Sequence, residues 1–257
     1  LLLSEADPPQ RGAPEFTLAR IDALTALGAV DQALVLTEQA GPDQSPELFA
    51  RYADLSLLVG NAMPACDILG AQPELSMDEA LRVYCLARHG DWETAALVRG
   101  TAEAIGQITK ADGDALARFL DPDLFEGEPD MPSPAAITPL RFRLFEAAGQ
   151  RLQTSALPRV YAHADLDGSA GWKAQVTAAE RLSRTGALQA NQMIGIYSGR
   201  KPAASGGVWD RIRAVQNLDV AIRTGSAAAV QKTLPQAWLA AKSAALTVPL
   251  SHTRPRS

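Results

Sequence analysis

Apolar residues recur along this chain at helical spacing. Ile21, Leu24 and Leu27 step by three. Leu48, Tyr52, Leu55 and Leu58 step by four, three and three, and Trp92, Ala95 and Val98 step by three. Such spacing puts each set on one face of an amphipathic helix. Val208, Ile212, Val215, Leu218 and Ile222 form the best single stripe. No segment alternates with the period of two that a half-buried strand requires. The pattern predicts an all-α protein.

The helices pair around glycines. Ala-Leu-Thr-Ala-Leu-Gly28 is followed five residues on by Ala33, Leu-Ser-Leu-Leu-Val-Gly60 by Ala65, and Tyr-Cys-Leu-Ala-Arg-His-Gly90 by Ala95. Glycine can take the left-handed conformation that ends a helix, and a small Ala lets the next helix lie close. Intervals of about 30 residues point to stacked helical hairpins. The expected architecture is therefore a stack of antiparallel hairpins, α-solenoid-like, and less regular in the second half. There Gly186 and Gly225 follow helical runs but lie farther apart. Asp91 and Glu93 fall in a first turn, where negative charge suits the helix dipole. Ser169 is expected to cap the helix that begins near Trp172.

Between Asp121 and Pro139 five prolines exclude a regular helix. The expected organisation is an extended lead-in (1–15), a helical-hairpin region (16–120), a Pro-rich acidic joint (121–139), a second helical region (140–246) and a tail (247–257). The tail is expected to be helix-free.

Charge sharpens that division. The chain of 257 residues has a net charge of −5. Residues 1–130 hold 23 Asp or Glu against 8 Lys or Arg, whereas residues 131–257 hold 6 against 16. The two halves should carry opposed surface potentials, and contact between them, within or between molecules, should weaken with salt. Two solvated faces that differ only in composition are the alternative. Ala is the commonest residue, with 47 copies, as suits closely packed helices. No apolar run is long enough to span a membrane.

The Gly-x4-Ala hairpins, above all Leu86-Ala-Arg-His-Gly-Asp-Trp-Glu-Thr-Ala95, resemble tetratricopeptide-like repeats over residues 16–106. The consensus aromatic and terminal proline positions are largely missing. The segments Phe119–Phe125, Ala156–Leu166 and Tyr197–Arg211 resemble an uncharacterised family of marine α-proteobacteria, whose members are sometimes labelled antifreeze-polyprotein-like. That resemblance implies an exported protein. It is matched by Ser4-Glu5-Ala6, which has the small-x-small form of a signal-peptidase site behind Leu1 to Leu3. An arbitrary chain start is the alternative, and with it a cytoplasmic location.

Candidate chemistry is sparse. His89, His163 and His252 form no metal-ligand cluster. His163 and Asp165 could form a dyad, but no nucleophile motif accompanies them. Asp165-Leu-Asp-Gly begins like a calcium loop, yet Ala170 and Val176 stand where Gly and Glu are needed. Asp121, Asp123, Glu126, Glu128 and Asp130 could hold a cation or a basic partner, and a solvated linker is the alternative. Glu146 and Glu180, the only Glu of the second half, lack the following Ser of a lytic transglycosylase motif. Neither a metal nor any other cofactor is expected. The basic half lacks the aromatic interleaving of a nucleic-acid surface.

One loop stands out. Arg200-Lys-Pro-Ala-Ala-Ser-Gly-Gly207 leads into the strongest helix, and Arg200, Lys201, Ser205, Gly206, Gly207 and Arg211 could hold an anion at its N-terminus. A turn between hairpins, with Trp209 in the core, is the alternative.

The two cysteines, Cys66 and Cys85, fall on consecutive helices. Their midpoint lies in the turn Gly70–Ser76, so antiparallel helices would bring them face to face. The expectation is a disulfide and hence an oxidising compartment. Two buried free thiols are the alternative.

The leading expectation of function is a non-enzymatic helical-repeat scaffold or adaptor that binds a protein in the periplasm or beyond. A binding module for an anionic small molecule or envelope polymer is the second expectation. An accessory domain of a larger envelope enzyme is the third.

Overall fold

The three turn glycines take the conformation their positions demand. In a computed structural model describing residues 13–247, Gly28, Gly60 and Gly90 have φ of 82°, 78° and 85°. Ala33, Ala65 and Ala95 behind them are buried. The described residues form helices and no strands, so the chain is all-α.

The first helix, α1 (Ala13–Leu27), is followed by α2 (Val30–Ala40), α3 (Pro46–Val59), α4 (Met63–Ala71), α5 (Glu79–Arg88), α6 (Trp92–Ala104), α7 (Lys110–Leu120) and α8 (Pro139–Ala147). Then come α9 (Trp172–Ser183), α10 (Ala190–Ser198), α11 (Val208–Arg223) and α12 (Ala227–Ser243). Short 3-10 helices lie at Pro73–Leu75, Pro122–Phe125 and Thr154–Ala156, and a longer one at Arg159–Asp167. The end of the expected lead-in is helical, because Pro14 falls in the first turn of α1, where no backbone donor is needed. Residues 1–12 and 248–257 lie outside the described residues, and with them His252, the Ser4–Ala6 segment and almost all of the tail.

Many helix starts follow from local side chains. Ser45, Asp78, Asp91, Thr109 and Thr138 each accept a hydrogen bond from a first-turn amide of α3, α5, α6, α7 and α8 respectively. Each such cap contributes about 1 kcal/mol. Ser169 does not cap α9. Its hydroxyl donates to Asp167, and Gly171 takes the cap position instead.

Two units divide the molecule. The first comprises residues up to Leu24 and Val30–Gln153. Its core gathers Phe49, Leu57, Cys66, Val83, Ala95, Leu116 and Leu144. Neighbouring helices pack in order from α2 to α7, but α8 returns to α3 as well as meeting α7. A one-dimensional stack, in which each repeat touches only its neighbours, has no such return.

The boundary is therefore not the 121–139 joint, and α8 does not belong with the basic half. Arg141 on α8 grips Asp112 on α7 through two hydrogen bonds of 2.6 and 2.9 Å. Arg143 reaches the carbonyls of Leu57 and Leu58 at the end of α3. These pairs bring the basic helix to the acidic unit. Within this unit Cys66 on α4 and Cys85 on α5 form a disulfide, with Cα atoms 5.0 Å apart, the pairing expected from their spacing rather than two free thiols.

The second unit comprises Thr25–Ala29 and the chain from Thr154 on. Val176, Leu182, Met193, Tyr197, Ile212 and Ala241 form its core. Glycine suits position 28 because its φ of 82° is one that other residues rarely adopt, and a Cβ there would also lie 2.5 Å from Leu182 Cδ2, so that side chain would have to shift. The hydroxyl of Thr185 donates to the carbonyl of Leu27 at 2.7 Å. The strong stripe of α11 buries Ile212 and Val215 but leaves Ile222 exposed at its end. Trp92, expected on a buried face of the first unit, is half exposed against the Phe119 ring.

Candidate functional site

The expected anion loop separates into parts that point different ways. Arg200, Lys201, Ser205, Gly206 and Gly207 are all exposed. Gly206 and Gly207 have positive φ and lead into α11, whose N-cap has no side-chain partner. The loop is tied down from behind. Gln216 donates to the carbonyls of Tyr197 and Arg200, each at 2.7 Å, and Arg213 donates to Ala204. Asp210 already supplies a carboxylate to the first turn of α11, where an incoming anion would sit.

Arg211 faces inward. Its Nε and Nη2 donate to Oε1 and Oε2 of Glu180, each at 2.7 Å. Of the three cations expected to line the loop, one is therefore spent on a carboxylate of α9. Arg200 and Lys201 remain.

Glu180 is the chemical centre of the second unit, and it is only 3% exposed. Besides Arg211 it receives the Tyr197 hydroxyl on Oε1 at 2.6 Å and Arg184 Nη2 on Oε2 at 3.4 Å. A carboxylate offers about four acceptor sites, and four donors occupy them. Burial, then the charge of Glu180, push the Tyr197 hydroxyl far above its ordinary pKa, so it stays protonated and donating. A general base needs a free acceptor position facing its substrate. Glu180 has spent its positions on α9, α10 and α11, and it acts as a brace between them. The sequence did carry a signal: Glu180 lies one helical turn after Val176, on the apolar face of α9.

Asp165 is buried and accepts from the Thr154 hydroxyl, while Arg181 donates to the carbonyls of Thr154 and Leu157. Among the described residues no group of His, Cys, Asp or Glu is arranged to hold a metal ion.

What the second unit offers outward is α12. Leu234, Trp238 and Leu239 are 47%, 47% and 66% exposed. Pro235 lies between them on the same outward side. Over its 17 residues α12 carries Lys232 and Lys242 and no carboxylate. Neither composition nor the search for catalytic motifs singled out this helix. Its signal was an apolar surplus: Ala, Leu and Trp on both sides of the helix, where an ordinary surface helix keeps one side polar.

No known protein family, curated protein or solved structure matches the chain.

Proposed function

We propose that this protein is a non-catalytic helical module that binds another protein through the outward face of α12, in an oxidising compartment such as the cell envelope. The observation that carries this reading is the cluster of Leu234, Trp238 and Leu239 on a helix without carboxylates. Exposed Trp and Leu side chains at a helix surface are the material of interface hot spots. The saturated hydrogen bonding of Glu180 supports the non-catalytic half of the reading, because the best-placed acid of this unit is committed to structure. The Cys66–Cys85 bond supports the compartment, since stable disulfides are rare in the cytosol. No helix among the described residues is long and apolar enough to cross a membrane.

The test is a paired capture from the envelope fraction of the source organism. Native protein and a Leu234→Ala, Trp238→Ala variant are immobilised after circular dichroism shows equal helix content. A stoichiometric protein that the native form retains and the variant loses supports the reading. Equal retention by both forms, or retention of a glycan or anion alone, overturns it.

A further inference from the structure

The first unit carries a surface that complements α12. The 3-10 turn Pro122–Phe125 follows α7, and Leu124 at its tip is 72% exposed. Around it stand Asp121, Asp123, Glu126 and Glu128, all exposed and in no ion pair among the described residues. The turn is held in shape from below. Asp121 accepts the Leu124 amide at 3.3 Å, Arg118 donates to the carbonyl of Pro129 at 3.0 Å, and the Arg118 guanidinium lies 5.0 Å from the Phe125 ring centre. An exposed apolar side chain thus sits on a braced turn, flanked along the chain by exposed carboxylates. On α12 apolar side chains lie between two lysines, with no carboxylate on the helix.

We propose that the occupant of α12 is a second copy of this chain, which seats its Leu124 turn between Leu234, Trp238 and Leu239, with Lys232 and Lys242 facing the carboxylates. This rests on the reading of α12 as a protein-binding face and names its partner. Charge complementarity selects the occupant, because like charges placed across an interface cost affinity and opposite charges raise the rate of encounter. The bracing of the turn lowers the entropy lost on docking. The two surfaces differ, so the contact is heterologous, and a pair of copies retains one free surface of each kind, the turn on one copy and the α12 face on the other. Such contacts generate rings or open chains. One helix face and one turn bury less than a standard interface, which places the contact among weak, transient ones.

Sedimentation velocity of the full chain over a range of concentrations tests this. The weight-average sedimentation coefficient should climb with concentration at low salt. Raising the salt to about 0.5 M should weaken association by about tenfold, as the rim charges are screened. A Leu124→Glu variant and a Lys232→Glu, Lys242→Glu variant should each fail to associate alone, because each has lost one surface. Mixed, they should form a one-to-one pair that grows no further, since the two intact surfaces meet once. All three exchanged residues are exposed, and equal helix content by circular dichroism confirms that each variant folds. A native protein that stays monomeric overturns the proposal, as does a Leu124→Glu variant that associates like the native form. Monomeric native protein together with α12-dependent capture of a different protein overturns the self-contact and leaves the α12 reading standing. Loss of both overturns both.

Discussion

The two units solve one problem by different means. Each is a small helical assembly rich in Ala, and small apolar side chains bury little area per residue. The first unit adds a covalent cross-link between α4 and α5. The second unit contains no cysteine and places a buried carboxylate where three helices meet, with Arg211, Tyr197 and Arg184 around it. The disulfide acts mainly by restricting the unfolded chain. The Glu180 cluster acts in the folded state, by fixing which donors must face which acceptor. A cross-link tolerates imperfect packing nearby, whereas a buried ion requires every partner in place.

The sharpest way to break this contrast is to remove the carboxylate. Glu180→Ala leaves the Arg211 guanidinium without its counter-ion, and loss of one partner of a buried pair costs about 3–5 kcal/mol. Hydrogen exchange should show protection falling across α9, α10 and α11 and holding across α3 to α6. Equal loss in both units would show that they are not separately held. The converse change is Cys66→Ala with Cys85→Ala. Opening a loop of about 20 residues should lower the first unit's stability by about 3 kcal/mol, with the second unit unaffected. Titration of denatured, unreduced native protein should find no free thiol, and two reactive thiols would remove the covalent half of the comparison.

The smallest effect concerns acid. Hydrogen bonds from Arg141, outweighing its partial burial, hold the Asp112 carboxyl below the ordinary carboxylate range. The folded state therefore binds fewer protons there than the unfolded one. The pair's contribution is complete above about pH 4 and is lost as pH falls through the lowered native value. Asp112→Asn should cost about 1 kcal/mol at neutral pH. That difference should shrink toward zero in strongly acidic urea titrations. A difference independent of pH would assign the loss to packing.

Local signals were readable without coordinates. Gly28, Gly60 and Gly90 announce three turns because only glycine takes that backbone conformation at low cost. Cys66 and Cys85 announce their pairing because the turn between them is central and the helices antiparallel. Charge counting misplaced α8, since Arg141 and Arg143 are basic residues whose partners lie 29 and 86 positions away. A sum over half a chain erases such pairs. Arg211 was read as outward for a similar reason: its partner Glu180 lies 31 positions back, beyond the reach of helical periodicity. The α12 face was overlooked because its residues fit a core helix equally well, and only burial tells the two apart.

The reach of Arg143 also sets a timetable for the nascent chain. The Leu57 carbonyl, which already accepts the Gly60 amide, and the Leu58 carbonyl each gain a donor synthesised 86 and 85 residues later. At roughly 5–20 residues per second, α3 would exist for several seconds on the ribosome before the side chain that completes its end emerges. Until then the seven helices that precede α8 are an unfinished assembly, and the arrival of α8 closes it.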